Sequence, residues 1–318
     1  MSKGGGAVLD LTATVGSVVL PNPVMTASGT GGHGAELGAY LDLASLGAVV
    51  VKSLSAHAWD GNPALRVHET AAGMINSVGL QGPGVEAWLE HDLPSLIAAG
   101  ARVVASIWGR SVAEYEAAAA LLADAPATVI AVEVNLSCPN TEAARDLFAH
   151  SATATRDVMA ATANCGRPRW AKLSPNVTDL VPIAVAAQSA GAEAVTLINT
   201  VLGMAIDPET GAYRLGSGAR GGGLSGPAIH PVAVRAVHDV HAALPDLPII
   251  GVGGIARGAD AAELLLAGAS AVQVGTATFA DPRAPARVLD ELVQWAARTG
   301  RPSIATSVGA AHRKESVS

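Results

Sequence analysis

Eight short runs rich in Val, Ile, Leu and Ala, separated by stretches long enough for helices, constrain this chain more than any other feature. They are Ala48–Lys52, Gly73–Ser77, Val103–Ile107, Val129–Asn135, Trp170–Leu173, Ala194–Asn199, Pro248–Val252 and Ala271–Val274. A strand with one face in water alternates apolar and polar residues. These do not, and so predict a parallel sheet covered on both faces. Between them, Ser111 with Glu114 carries the capping-box signature of an Ala-rich helix. Thr178 is expected to cap a second helix, and Asp260 to open a third that ends near Gly268. Eight strand–helix alternations describe an α/β fold, the (β/α)8 TIM barrel, with an open doubly wound sheet as the rival. Ahead of it, Val8–Leu11 and Ser17–Leu20 are expected to pair as an N-terminal β-hairpin across residues 14–16, plugging the barrel bottom. No linker divides the 318 residues, so residues 1–318 are expected to form a single domain. The polar tail Arg313–Ser318 is expected to be disordered.

Composition narrows what such a barrel serves. Half the residues are hydrophobic and 15% charged, but no apolar run reaches the ~18 residues needed to cross a bilayer. The N-terminus lacks the apolar core of a signal peptide. Cys138 and Cys165 are the only cysteines, too few for a disulfide framework or for an iron–sulfur cluster, which takes about four thiolates. A reducing cytoplasm is the expected location. A net charge of −7 without a basic run argues against nucleic acid and anionic membranes.

Barrel enzymes gather their reactive groups at the C-terminal ends of the strands. Those ends here read Lys52-Ser53, Asn76-Ser77, Asn135-Leu136-Ser137-Cys138-Pro139-Asn140, Lys172, Asn199-Thr200, Gly253-Gly254 and Gly275-Thr276. Side-chain amides on both sides of a thiol suit a planar hydrogen-bonding substrate from which the thiol moves a proton, although most lone cysteines are structural. Glycines after strands seven and eight leave backbone N–H groups open to a phosphate. Gly221–Gly226, after strand six, is expected to be a third flexible loop. Such a phosphate site, with Lys172 at the rim, fits flavin mononucleotide (FMN). The lysine would lie beside the N1/O2 edge of the ring and stabilise its reduced, anionic form. No G-x-G-x-x-G follows the first strand, which argues against a Rossmann nicotinamide site. His33, His57 and His230 show no metal-ligand spacing, and Cys165 is expected to be a bystander at a helix end.

From about Leu20 to Gln294 the chain resembles the family 1 dihydroorotate dehydrogenases, flavoenzymes of pyrimidine synthesis. The motifs that carry the likeness are Asn22-Pro23, Ala27-Ser28-Gly29, Val51-Lys52-Ser53, Asn76–Leu80, Asn135–Asn140, Lys172-Leu173, Asn199-Thr200, Gly222–Pro227 and Gly253-Gly254-Ile255. The resemblance implies that Cys138 is the general base taking the C5 proton of dihydroorotate while C6 delivers hydride to flavin N5. It implies that Asn76, Asn135, Asn140, Asn199 and Thr200 hold the substrate, with Lys52 and the amides of Gly79 and Leu80 near its carboxylate. The flavin would be held by Ala27, Ser28, Gly29, Lys52, Ser53, Asn135, Lys172, Ile198, Gly226, Gly253, Gly254, Gly275 and Thr276.

The family has a fumarate-using homodimeric branch and an NAD-using branch. In the latter a partner subunit carries FAD and a 2Fe–2S cluster, giving a heterotetramer. Asn199–Asp207 with Gly222–Ile229 resembles the NAD branch. The chain departs from the family pattern in Thr141–Ala149, in Gly31–Gly34 and at Ser106–Trp108, which leaves NAD, fumarate and a quinone open as acceptors. Two other readings are a dihydropyrimidine dehydrogenase-like flavoenzyme acting on uracil and a non-catalytic flavin-binding barrel.

Overall fold

The computed structural model describes residues 9–137, 148–215 and 221–313. Eight parallel strands form its central sheet: Val24–Thr26, Val49–Val50, Val103–Ile107, Val129–Asn135, Arg169–Lys172, Ala194–Leu197, Ile249–Val252 and Ala271–Val274. A bridge between Met25 and Ala48 joins the first strand to the second and closes the ring, so the fold is the (β/α)8 barrel and not its open rival. Seven of the eight runs expected from the sequence contribute barrel strands. Gly73–Ser77 does not. Its residues Gly73–Asn76 belong instead to an antiparallel four-stranded sheet with Val67–Thr70, Gly222–Ser225 and Val201–Gly203. The Gly222–Ser225 strand likewise replaces the flexible loop expected there. The barrel's own first strand, Val24–Thr26, is too short to stand out as a pattern.

Pleating sorts each barrel strand into two sets of side chains. Outward residues such as Val49, Val51, Val132, Val134, Ala171, Leu173, Val195 and Leu197 belong to the large core beneath the helices. Inward residues Met25, Val50, Val104, Ala131, Trp170, Ala194, Ile250 and Ala271, one from each strand, form a second core. Ala13, Val15, Val18 and Leu20 complete that core from the N-terminal hairpin. The hairpin plugs the barrel bottom as expected, but it pairs Ala13–Val15 with Val18–Leu20 rather than Val8–Leu11 with Ser17–Leu20. Gly16, at φ +61°, lies between the two strands, two residues later than the expected turn begins.

The helices show how local signals were used. Ser111 Oγ accepts from Glu114 N (3.3 Å), but the Glu114 carboxylate accepts from Arg110 N (2.8 Å), one residue outside a capping box. Thr178 caps nothing. The helix Val181–Ser189 starts instead with Asp179 Oδ1 accepting from Val181 N at 3.0 Å. Asp260 lies in the first turn of Gly258–Ala267, which stops at Gly268. At the chain's end Arg313 donates to the carbonyls of Val308 and Thr306, and the remaining tail is outside the described residues. Among the described residues no helix is long and apolar enough to cross a membrane.

Candidate active site

Moving two residues up each strand from the inner apolar layer changes the chemistry of the barrel. The inward positions become Ala27, Lys52, Ser106, Glu133, Lys172, Thr196, Val252 and Gln273. Above them, at the C-terminal mouth, lies a cavity of about 290 Å³, near the lower end of small-molecule sites. The antiparallel sheet borders it through Val67, Met74, Asn76 and Ser225.

Every described residue expected from the sequence to bind substrate or cofactor lines this cavity. Lys52, Asn76, Gly79, Leu80, Asn135, Asn199 and Thr200 are brought together with Ala27, Ser28, Gly29, Ser53, Lys172, Ile198, Gly226, Gly253, Gly254, Gly275 and Thr276. Cys138 and Asn140 lie outside the described residues. Ser137, immediately before Cys138, is in the wall. His33, His57, His230 and Cys165 are not. Cys165 ends the short helical turn Thr162–Cys165, and burial pushes its thiol pKa up.

Hydrogen bonds fix the polar wall. Asn135 donates from Nδ2 to Ser53 Oγ at 3.1 Å, and Ser53 Oγ lies 2.8 Å from Ser106 Oγ and 3.1 Å from Ser28 Oγ. The Asn135 amide oxygen accepts from Asn199 Nδ2 (3.2 Å) and from Ser137 N (3.2 Å). Its backbone carbonyl accepts from the buried Tyr115 hydroxyl at 2.6 Å. Asn199 Oδ1 in turn accepts from Thr200 N (2.8 Å). Four barrel strands thus hold one amide in a set orientation, which a planar ligand with donors and acceptors requires.

The charges are one-sided. Lys52 and Lys172 line the cavity, and no carboxylate does so among the described residues. Burial, followed by the field of Arg66, holds the Lys52 pKa below the usual lysine range. His33 is also lowered, by burial first and by Lys52 second. Lys172 is almost fully buried and lies 3.6 Å from Glu133 Oε1. Glu133 and Gln273 were not recognised from the sequence. A lone carboxylate inside the apolar run 129–134 was the available signal.

Backbone glycines form the remaining wall. Gly254 has φ +70°, and a Cβ there would sit 2.6 Å from His230 Cβ and 2.9 Å from His230 N. The His230 ring donates from Nδ1 to the Gly253 carbonyl at 2.9 Å, tying this turn to the helix His230–Ala243. Gly29, at φ +89°, would have nothing within 4 Å of a Cβ, leaving its backbone open to a ligand. Two cations, an amide-rich wall and a close backbone turn fit a phosphate-bearing, hydrogen-bonding cofactor.

Fold and cavity define a class: a (β/α)8 barrel with a cation-lined, amide-rich pocket at the catalytic end. The chain belongs to the dihydroorotate dehydrogenase family, since residues 10–295 match the family model described as Dihydroorotate dehydrogenase. It is thereby an oxidoreductase of a flavin-dependent family. It is 46% identical over 302 residues to a protein of Geobacter sp. (strain M21) named dihydroorotate dehydrogenase B (NAD(+)), catalytic subunit, covering 95% of this chain and 98% of the relative. A protein of the same name from Desulforudis audaxviator (strain MP104C) is 49% identical over 300 residues, 94% of this chain and 96% of the relative. A putative dihydroorotate dehydrogenase A (fumarate) of Solibacter usitatus (strain Ellin6076) is 46% identical over 291 residues, 91% and 94% of the two chains.

Proposed function

We propose that this chain oxidises dihydroorotate to orotate in pyrimidine biosynthesis, with FMN in the cavity at the barrel mouth. The observation that carries this reading is the convergence of Lys52, Lys172, Asn76, Asn135 and Asn199 on one pocket in a chain of this family. The phosphate of the cofactor would meet the backbone of Gly253-Gly254 and Gly275-Thr276. Its ring would meet Ala27, Ser28, Gly29, Ser53, Asn135, Ile198 and Gly226, with Lys172 at its negative edge. When bound, the flavin supplies the two-electron acceptor for the hydride that leaves C6.

The protein's own contribution is proton movement and orientation. Asn76, Asn135, Asn140, Asn199 and Thr200 hold the pyrimidine ring and its carboxylate. Lys52 and the amides of Gly79 and Leu80 oppose the carboxylate charge. Cys138, following the cavity-lining Ser137, removes the C5 proton as the C5=C6 bond forms. A free thiol has a pKa of about 8.5, so a small thiolate fraction carries the reaction at neutral pH.

Relatives named as NAD(+) catalytic subunits support a complex in which a homodimer of this chain pairs with a separate FAD and 2Fe–2S subunit. The fumarate-named relative supports a second reading, in which the homodimer acts alone on fumarate. A cytoplasmic location follows from the proposed free-thiol base, which needs a reducing compartment. The chain forms a single domain.

The test is anaerobic single-turnover reduction of the purified flavoprotein by dihydroorotate and, separately, by dihydrouracil. Dihydroorotate is expected to bleach the flavin, faster at alkaline pH, with Cys138→Ala slower by about 10²- to 10⁴-fold. Preference for dihydrouracil, or an unchanged rate in Cys138→Ala, overturns the assignment. Reoxidation by NAD, fumarate and a quinone in turn identifies the acceptor.

A further inference from the structure

Below the cavity floor sits a carboxylate that the chemistry above does not use. Glu133, on the fourth barrel strand, is fully buried. Its Oε2 accepts from Thr196 Oγ1 on the sixth strand (3.0 Å) and from Gln273 Nε2 on the eighth (2.7 Å). Its Oε1 has no hydrogen-bond partner and faces Lys172 Nζ at 3.6 Å. Two donors on one oxygen and an ammonium beside the other describe an ionised carboxylate held from three strands. Lys52 is the other charged side chain in the cavity wall among the described residues, and it is a cation, so it cannot serve as Lys172's counter-ion.

We propose that Glu133 is a positioning residue. It is the fixed counter-ion that keeps Lys172 protonated inside the barrel, so that the cavity presents a permanent cation to the negative edge of its cofactor. An ammonium buried alone tends to give up its proton, because burial disfavours the charged form. With Glu133 3.6 Å away the barrel interior carries a paired rather than a lone charge at the cavity wall. The inference rests on the flavin reading of the cavity, and its test separates the two.

The perturbation is Glu133→Gln, which keeps the shape and removes the charge, alongside the double variant Glu133→Gln with Lys172→Met. In the FMN-free protein, carbon-13 NMR of labelled lysine follows the charge of Lys172. The lysine signal of Lys172 is expected to change to its uncharged form at lower pH in Glu133→Gln than in the wild type. With FMN bound, the midpoint potential of the variant is expected to fall more steeply with pH across the range where Lys172 has lost its proton. An unchanged Lys172 titration in Glu133→Gln overturns the proposal. If Glu133→Gln does not fold, the double variant decides. Removing both charges leaves no unpaired ion and is expected to restore folding, whereas equal failure of both variants also overturns it. A wild-type protein that takes up no FMN sinks the cofactor reading alone, because the NMR titration still reports on Glu133.

Discussion

Gly254→Ala measures how tightly the turn after the seventh strand is built. Gly254 sits at φ +70°, where an L side chain costs about 1–2 kcal/mol. The added methyl would also lie 2.6 Å from His230 Cβ and 2.9 Å from His230 Cα and N. Two of those three atoms are backbone at the start of a 14-residue helix, so relief requires moving the helix. Overpacking of that kind costs about 1–3 kcal/mol. The sum, about 2–5 kcal/mol, lowers the melting midpoint by roughly 4–10 °C in a chain of this size. Gly29→Ala is the matched control. It has a similar positive φ of +89° but nothing within 4 Å of the new methyl, so only the backbone cost applies, about 2–4 °C. Thermal melts of the FMN-free variants make the comparison independent of any cofactor. Equal melting shifts for the two variants would show that His230 does not hold the turn, and would refute the reasoning.

Three further perturbations probe other parts of the site and fold. Tyr115→Phe removes the hydroxyl that donates to the Asn135 carbonyl at 2.6 Å and is expected to cost about 1–2 kcal/mol, read as a lower melting midpoint. Lys52 must be charged to attract an anion, and burial followed by Arg66 lowers its pKa. Orotate affinity, measured by flavin absorbance, is therefore expected to be full at lower pH and to weaken as pH rises through that lowered pKa. In Arg66→Gln the break is expected to move upward. His241 has its pKa lowered by burial, then by His312, Arg313 and His238. Its stabilising contribution is present above the unfolded histidine value of about 6.5 and is lost as pH falls below it. The protection factors of the Gly309 and Ala311 amides, which donate to the Leu265 and Leu266 carbonyls at 3.0 Å, taken against the intrinsic exchange rate at each pH, are expected to fall in acid, and less so in His241→Gln.

Strands buried on both faces announce themselves in sequence, which is why the apolar runs Val103–Ile107, Val129–Asn135 and Ala271–Val274 coincide with strands residue for residue. Val24–Thr26 escaped because three residues after a proline carry no pattern of their own, and it is ring closure that makes them a strand. Gly73–Ser77 misled for the opposite reason. Its Met and Ile look like core, but Gly73–Asn76 pairs antiparallel on both sides above the barrel, in a sheet no local signal could place. The candidate site was more legible than the fold, because polar residues at strand ends need no knowledge of which strands neighbour each other. Glu133 was hidden by that same logic. It lies two residues inside the strand, and its meaning depends on Lys172, Thr196 and Gln273 arriving from three other strands.

Side-chain alternation links these observations physically. On the fourth strand Ala131, Glu133 and Asn135 face inward while Val132 and Val134 pack outward under the helices. A slip of one residue would exchange the sets, setting the carboxylate of Glu133 against an apolar helix layer and valines against Lys172. The unpaired charge alone would cost several kcal/mol, and the lost outer packing would add to it. The outward valines therefore hold the cavity-lining amide of Asn135 and the buried ion pair in register. The apolar half of each strand, which carries no chemistry, determines where the chemistry stands.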